Sequence, residues 1–274
     1  MKTGFIKKLT GVAFVSVLSL SLAACGTTTS SSTKKGDGLA ALKAKKTIVV
    51  GMMAATPPYE YHLVNNGEDK IVGSDIQLLD KVSKDLGVKY TIKDMDFDGL
   101  LVALQGKKID MIISAMSPTA ERAKNADFSD VYYKGRNVML VRKEDVNKYK
   151  TAQDFAHARL TTIKTSVQEG IIEKELPNAS LKLLGKSTEE AIDLENNKED
   201  GALVDIPTAV LLTKSNPSIT MSKVYFEDPS AGAAIAMPKG TDPAVLKQIN
   251  ETIKKYKPQY EQWLKDATGN VKGL

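Results

Sequence analysis

Apolar residues recur along this chain in two alternating rhythms. Short runs such as Thr47-Ile-Val-Val-Gly51 and Ile109-Asp-Met-Ile-Ile113 have the length of buried strands. Between them the apolar positions fall at helical spacing, with Ile76, Leu78, Leu79, Val82 and Leu86 on one face. The rhythm predicts strands at 47–51, 89–93 and 109–113, and helices at 75–86 and 97–104. Beyond a seam at 132–137 it resumes, with strands at 138–141, 159–163, 180–184 and 201–204. Helices near 151–155, 167–176, 188–196 and 206–215 separate them. A last strand at 232–237 and a helix from Pro243 to about Leu264 close the pattern, and Pro258 is expected to bend or break that helix.

Strands alternating with helices of this length imply an α/β fold with mostly parallel sheets covered on both faces. The pattern occurs twice. The closing strand and helix have no strands of their own to extend unless they return to the first sheet. Two lobes joined by two hinge crossings are therefore expected, 47–133 plus 229–274 in the first and 134–228 in the second. Ligands of open α/β sheets bind beyond the carboxyl ends of the strands, so the expected site is a cleft between the lobes. Gly135 and Gly232 stand at the crossings, where they could absorb backbone rotation.

The segment ahead of this body has another character. Lys2, Lys7 and Lys8 precede an uncharged run from Leu9 to Leu22, shorter than the ~20 apolar residues of a spanning helix. Residues 1–24 read as a signal peptide. Leu22-Ala-Ala-Cys25 resembles the lipobox of bacterial lipoproteins, and Cys25 is the only cysteine of the chain. That resemblance implies cleavage before Cys25, acylation of its thiol, and retention by lipid on the outer face of the cytoplasmic membrane of a Gram-positive bacterium. The Ser/Thr/Gly-rich stretch that follows is too polar to order itself, so 25–46 are expected to form the lipidated cysteine and a flexible tether.

Composition narrows the remaining choices. The formal charge of +5 falls to +2 once the three signal lysines are removed, and the other charges are interspersed, which gives no electrostatic case for nucleic acid. No second cysteine is present for an intrachain disulfide. His62 and His157 lack metal-ligand spacing and read as surface loop residues, and no motif calls for a cofactor.

Three segments carry a resemblance: Met95-Asp-Phe-Asp-Gly-Leu-Leu-Val-Ala-Leu104, Ile109 through Arg122, and Asp127-Phe-Ser-Asp-Val-Tyr-Tyr133. With Pro57-Pro-Tyr-Glu-Tyr61 and Gly73-Ser-Asp-Ile76, they resemble the polar amino-acid-binding proteins of ABC importers, solute-binding family 3 with the type II periplasmic-binding-protein fold. The resemblance runs from about Thr47 through Gly269. It implies a monomeric, non-enzymatic clamp that closes on one polar amino acid (glutamine, histidine, arginine or cystine-like) and delivers it to a permease served by an ATPase.

A zwitterion needs a donor-rich cationic corner and an acceptor-rich anionic one, because neither charge can be buried unpaired. By family match Arg122 takes the ligand carboxylate, as its planar fork suits two oxygens. The match gives the Ala115 carbonyl to the ligand ammonium, and the Ser117 amide and hydroxyl to the ligand. Ser117 also reads as a helix cap ahead of Pro118. Asp205 matches the acid that pairs with the ammonium, and it also reads as an N-cap. Val167 and Gln168 open a helix whose first amides could complete the carboxylate cradle. Phe97 matches an aromatic that packs on the ligand stem.

The side-chain pocket is placed near Met53 and Thr56, with Met52, Met95 and Met116 as further soft wall candidates. Relatives often carry an acid near position 53, and its absence here argues against a strongly basic ligand. Glu60 and Lys164 are charged candidates without an assigned place. The same fold also serves adhesins, amino-acid sensors and a few dehydratase-type enzymes, and these stay open as alternatives.

Overall fold

The computed structural model describes residues 38–269. The expected signal peptide, Cys25 and the expected tether as far as residue 37 lie outside the described residues. The first half of the body runs α1 (Gly38–Ala44), β1 (Thr47–Met52), β2 (Ala55–Thr56), β3 (Glu60–Asn65), β4 (Glu68–Val72), α2 (Ser74–Leu86) and β5 (Lys89–Asp94). It continues through α3 (Phe97–Gln105), β6 (Met111–Ile112), α4 (Ala120–Ala123) and β7 (Ala126–Tyr133). A crossing leads to β8 (Arg136–Arg142), two 3-10 turns at Lys143–Asp145 and Ala152–Phe155, β9 (Arg159–Ile163), α5 (Val167–Glu175) and β10 (Ser180–Leu184). Then come α6 (Ser187–Glu195), β11 (Gly201–Asp205), α7 (Ile206–Ser215) and β12 (Ile219–Glu227). The chain crosses back into β13 (Ala233–Pro238) and ends in α8 (Pro243–Thr268).

Two five-stranded sheets result, ordered β5-β1-β6-β13-β7 and β10-β9-β11-β8-β12. Each has one reversed strand, β13 in the first and β8 in the second. These are the strands that the chain enters on crossing. A strand that starts at the junction between lobes must run away from it, against neighbours that run toward it. Both sheets are buried on two faces, as parallel-type sheets require. Along β1, Ile48, Val50 and Met52 pack with α2 and α8, while Val49 joins Leu100 and Leu104 of α3 on the other face. Along β8, Met139 and Val141 join one core of the second lobe, and Val138 and Leu140 join the other.

Several expectations are corrected. Within the tether expected over 25–46, Gly38–Ala44 is instead helical, Leu39 and Leu42 pack on the first core, and the Gly38 amide donates to Asp242 Oδ2 at 3.0 Å. Pro258 sits inside α8 without ending it. Burial of Ile249, Ile253, Tyr260 and Leu264 on both sides of the proline holds that helix to the body. The strand expected at 109–113 pairs over Met111–Ile112. The β2–β4 meander, β7 and β12 lay outside the predicted pattern.

At the second crossing Gly232 has φ 114, and a Cβ there would lie 2.4 Å from the Tyr133 carbonyl oxygen. The two crossings touch at this point, and only glycine fits.

Candidate functional site

The site is assembled from the carboxyl ends of four strands. Met53 follows β1, Ser114 to Ser117 follow β6, Lys164 to Gln168 follow β9, and Asp205 ends β11. Residues of these segments line two adjoining cavities of about 70 Å³ each. Arg122, Asp205, Ser117, Ala115, Phe97, Val167 and Gln168 surround the first. Met53 and Thr56 border the second, which shares Phe97, Ala115, Gln168 and Asp205 with it. All nine sequence candidates are thus brought together.

Arg122 is buried and spans the junction. Its Nη1 donates to the Ser117 carbonyl and its Nη2 to the Thr165 carbonyl, both at 2.7 Å, so one guanidinium ties the first lobe to the second. The Phe97 ring lies 5.4 Å from its Cζ, which fixes the plane of the fork. Burial pulls its pKa down to about 10, with Asp228 acting in the opposite sense, and the group stays cationic at neutral pH. Ala115 and Thr165, one in each lobe, are held at φ 45 and φ 61. Left-handed backbone at non-glycine residues is strained and gathers at functional sites. Here it turns both post-strand loops toward the guanidinium.

Asp205 is the N-cap that the sequence also suggested. It caps α7 by accepting from the Thr208 amide at 3.1 Å and from the Thr208 hydroxyl at 2.9 Å. It also accepts from Tyr59 Oη, across the junction, at 2.9 Å. Burial raises its pKa, and the bonds from Thr208 and Tyr59 oppose that rise. Ser117 is not the cap ahead of Pro118. Thr119 takes that place, its hydroxyl accepting from the Arg122 amide at 3.3 Å. Ser166 caps α5, which leaves Val167 and Gln168 in the first turn, where helix amides lack intrahelical partners. The Gln168 side chain donates to Asn137 Oδ1 at 2.9 Å.

Beneath the first lobe's half lies a polar cluster that the sequence did not suggest. Asp75 accepts from the Ala115 amide at 2.9 Å, Tyr132 Oη at 2.9 Å and Tyr260 Oη at 2.6 Å. Glu60 is fully buried beside it and accepts from Ser114 Oγ at 2.6 Å. Burial and the neighbouring Asp75 push the Glu60 pKa well above its ordinary value.

Lys164 pairs with Asp98 across the junction at 2.8 Å, at the exposed edge of the cleft. Met53 faces the second cavity, Met52 belongs to the first core, and Met95 and Met116 pack around α3. His62 lies on β3, not in a loop, with its Nδ1 2.9 Å from an Asp69 oxygen. Tyr59, Tyr133, Asn137, Asp228 and Glu190 also line the cavities. Of these, Tyr59 and Tyr133 had a signal, inside the segments Pro57-Pro-Tyr-Glu-Tyr61 and Asp127-Phe-Ser-Asp-Val-Tyr-Tyr133. Among the described residues no cluster of three or more His, Cys, Asp or Glu could hold a metal ion, and no helix is long and apolar enough to cross a membrane.

Two mixed sheets, two crossings and a polar cavity between the lobes define a type II periplasmic-binding-protein clamp. The chain belongs to the bacterial extracellular solute-binding proteins, family 3, whose family model matches residues 48–266. It is 30% identical over 247 residues to the arginine-binding extracellular protein ArtP of Bacillus subtilis, covering 86% of this chain and 88% of that protein. It is 29% identical over 276 residues to the ABC transporter glutamine-binding protein GlnH of the same organism, covering 95% and 98%. Among solved structures, the amino acid ABC transporter substrate-binding protein AbpA of Streptococcus pneumoniae, bound to L-arginine, superposes with a TM-score of 0.80. Its identity is 32%, over 84% of this chain and 98% of that one.

Proposed function

We propose that this protein is the substrate-binding component of an ABC importer, closing on one free α-amino acid and presenting it to a separate permease and its ATPase. The observation that carries the reading is the placement of Arg122 and Asp205, from opposite lobes, on the wall of one cavity. Arg122 and the opening amides of α5 receive the ligand carboxylate. Asp205 and the Ala115 carbonyl receive the ammonium, Ser117 contacts the ligand, and Phe97 covers its stem. Neither lobe alone satisfies both ligand charges, so the ligand stabilises the closed form by its differential affinity for that form. The crossings at Gly135 and Gly232 serve as the hinge. The acylated Cys25 holds the body at the outer membrane surface. The ligand leaves unchanged, so the protein is not an enzyme.

Calorimetric titration with the twenty amino acids tests the reading. One of them is expected to bind saturably and to be recovered unaltered by mass spectrometry. Arg122→Ala is expected to weaken it on the order of a thousandfold, the loss typical of stranding a buried charge. Wild-type affinity retained in both Arg122→Ala and Asp205→Asn would falsify the assignment.

A further inference from the structure

The cavity holds an acid for which the binding scheme has no use. Glu190 stands in the first turn of α6, 1% exposed, and neither of its carboxylate oxygens has a hydrogen-bond partner among the described residues. It lines the second cavity together with Thr162, Thr208 and, from the facing lobe, Thr56. Those hydroxyls are committed elsewhere: Thr56 donates to the Met53 carbonyl, Thr162 to the Leu203 carbonyl, and Thr208 to Asp205. Among the described residues no lysine or arginine lines this cavity. Across both cavities the one cation among them is Arg122, against Asp205, Asp228 and Glu190.

The charges decide what fits. The carboxylate and ammonium of an α-amino acid answer Arg122 and Asp205. A ligand with an apolar side chain leaves Glu190 buried and alone, and an isolated buried carboxylate is strongly disfavoured as the anion. A guanidinium or ammonium at the end of the side chain supplies the missing partner and offsets the acidic excess. We infer that Glu190 is a specificity-determining residue that receives the cationic side chain of a basic amino acid.

This inference rests on the amino-acid reading above and adds the ligand class to it. The sequence argument against a basic ligand looked for an acid near Met53 on the first lobe. The structure supplies one from α6 on the second. Burial and the charge of Asp205 push the Glu190 pKa well above its ordinary value, and a cation placed beside it would pull that pKa back down.

Titration of the wild-type protein and of Glu190→Gln with L-arginine, L-lysine, L-ornithine and L-glutamine tests the inference. The wild type is expected to bind at least one cationic amino acid more tightly than L-glutamine. Glu190→Gln is expected to weaken that ligand on the order of a hundredfold, the scale of a lost buried ion pair, while L-glutamine binding holds or improves. A second measurement needs no variant. In buffers of different ionisation enthalpy, the wild type is expected to release more protons on binding the cationic amino acid than on binding L-glutamine.

Unchanged cationic affinity in Glu190→Gln, equal proton release for the two ligands, or a wild type that prefers L-glutamine would each overturn the role of Glu190. If L-glutamine binding is then lost in Arg122→Ala, the amino-acid reading survives without it. A wild type that binds no α-amino acid removes both.

Discussion

Asp75 and Glu190 are both buried carboxylates within reach of the cleft, one in each lobe, and their surroundings could hardly differ more. Asp75 collects three donors from three places: the Ala115 turn, Tyr132 of β7 and Tyr260 of α8. Glu190 collects none. Burial raises the pKa of both, and only Asp75 has hydrogen bonds that pull the other way. The first is a structural acid, tying the terminal helix and the hinge strand to the turn that carries Ala115. The second has been left without a partner where a ligand can supply one. Burial alone does not distinguish these roles. The census of donors does.

The comparison breaks most sharply at Asp75. Replacing it with Ala strands two tyrosine hydroxyls and a backbone amide, each a buried donor with a desolvation cost of about 1–3 kcal/mol. Asp75→Ala is expected to destabilise the unliganded protein by about 3 kcal/mol or more in urea unfolding. A loss under about 1 kcal/mol, the ordinary value of a single hydrogen bond, would show the three bonds to be incidental.

Glu190→Gln should act in the opposite direction. The amide keeps the shape and removes a group that must either hold a proton or carry a buried charge. Unliganded Glu190→Gln is expected to exceed the wild type in stability by about 1–2 kcal/mol at pH 8. The pH dependence fixes the cause. A carboxyl whose pKa rises on folding favours the fold while protonated. That contribution is complete below the ~4.3 at which an unfolded glutamate ionises, and it is lost as pH climbs through the raised value. Wild-type stability should therefore fall across this window by up to about 1.4 kcal/mol per pH unit for each such proton. Asp75, Glu60 and Asp205 contribute in the same sense, and Glu189 adds negative charge beside Glu190. Glu190→Gln should flatten the slope by at most one proton. An unchanged slope would mean that Glu190 ionises normally.

The sequence showed the frame of this arrangement and missed its asymmetry. Strand and helix rhythm was readable wherever an element buries a regular face, as α2 does with Leu78, Leu79, Val82 and Leu86. It failed for β3 and β4, which are mostly exposed and offer no apolar alternation, and for β12, whose register slips between Met221 and Tyr225. The residues gathered at the cavity were legible through motif resemblance, because they sit in loops right after recognisable strands. Glu190 was not. In Ser187-Thr-Glu-Glu190 an acid in the first turn of a helix reads as a complement to the helix dipole, a surface role. Tertiary packing buries it, with α6 set against β9 and β11 of its own lobe and β2 of the facing one.

The smallest expected effect concerns the third charged feature at the junction. Lys164 and Asp98 approach to 2.8 Å, yet the lysine side chain is 55% exposed. Such exposed pairs contribute little and are screened by salt. The pair crosses the same cleft as the bond from Arg122 to Thr165 and the bond from Tyr59 to Asp205, so geometry alone would rank all three as clasps. Solvent exposure separates them. Lys164→Ala is expected to weaken ligand binding by no more than about fivefold at low salt, and by less as salt is raised. Tyr59→Phe removes a buried donor to Asp205 and should cost more, at any ionic strength. If Lys164→Ala proves the more damaging of the two, closure is governed by charge at the rim of the cleft, and the weight placed on the buried acids of its interior is misplaced.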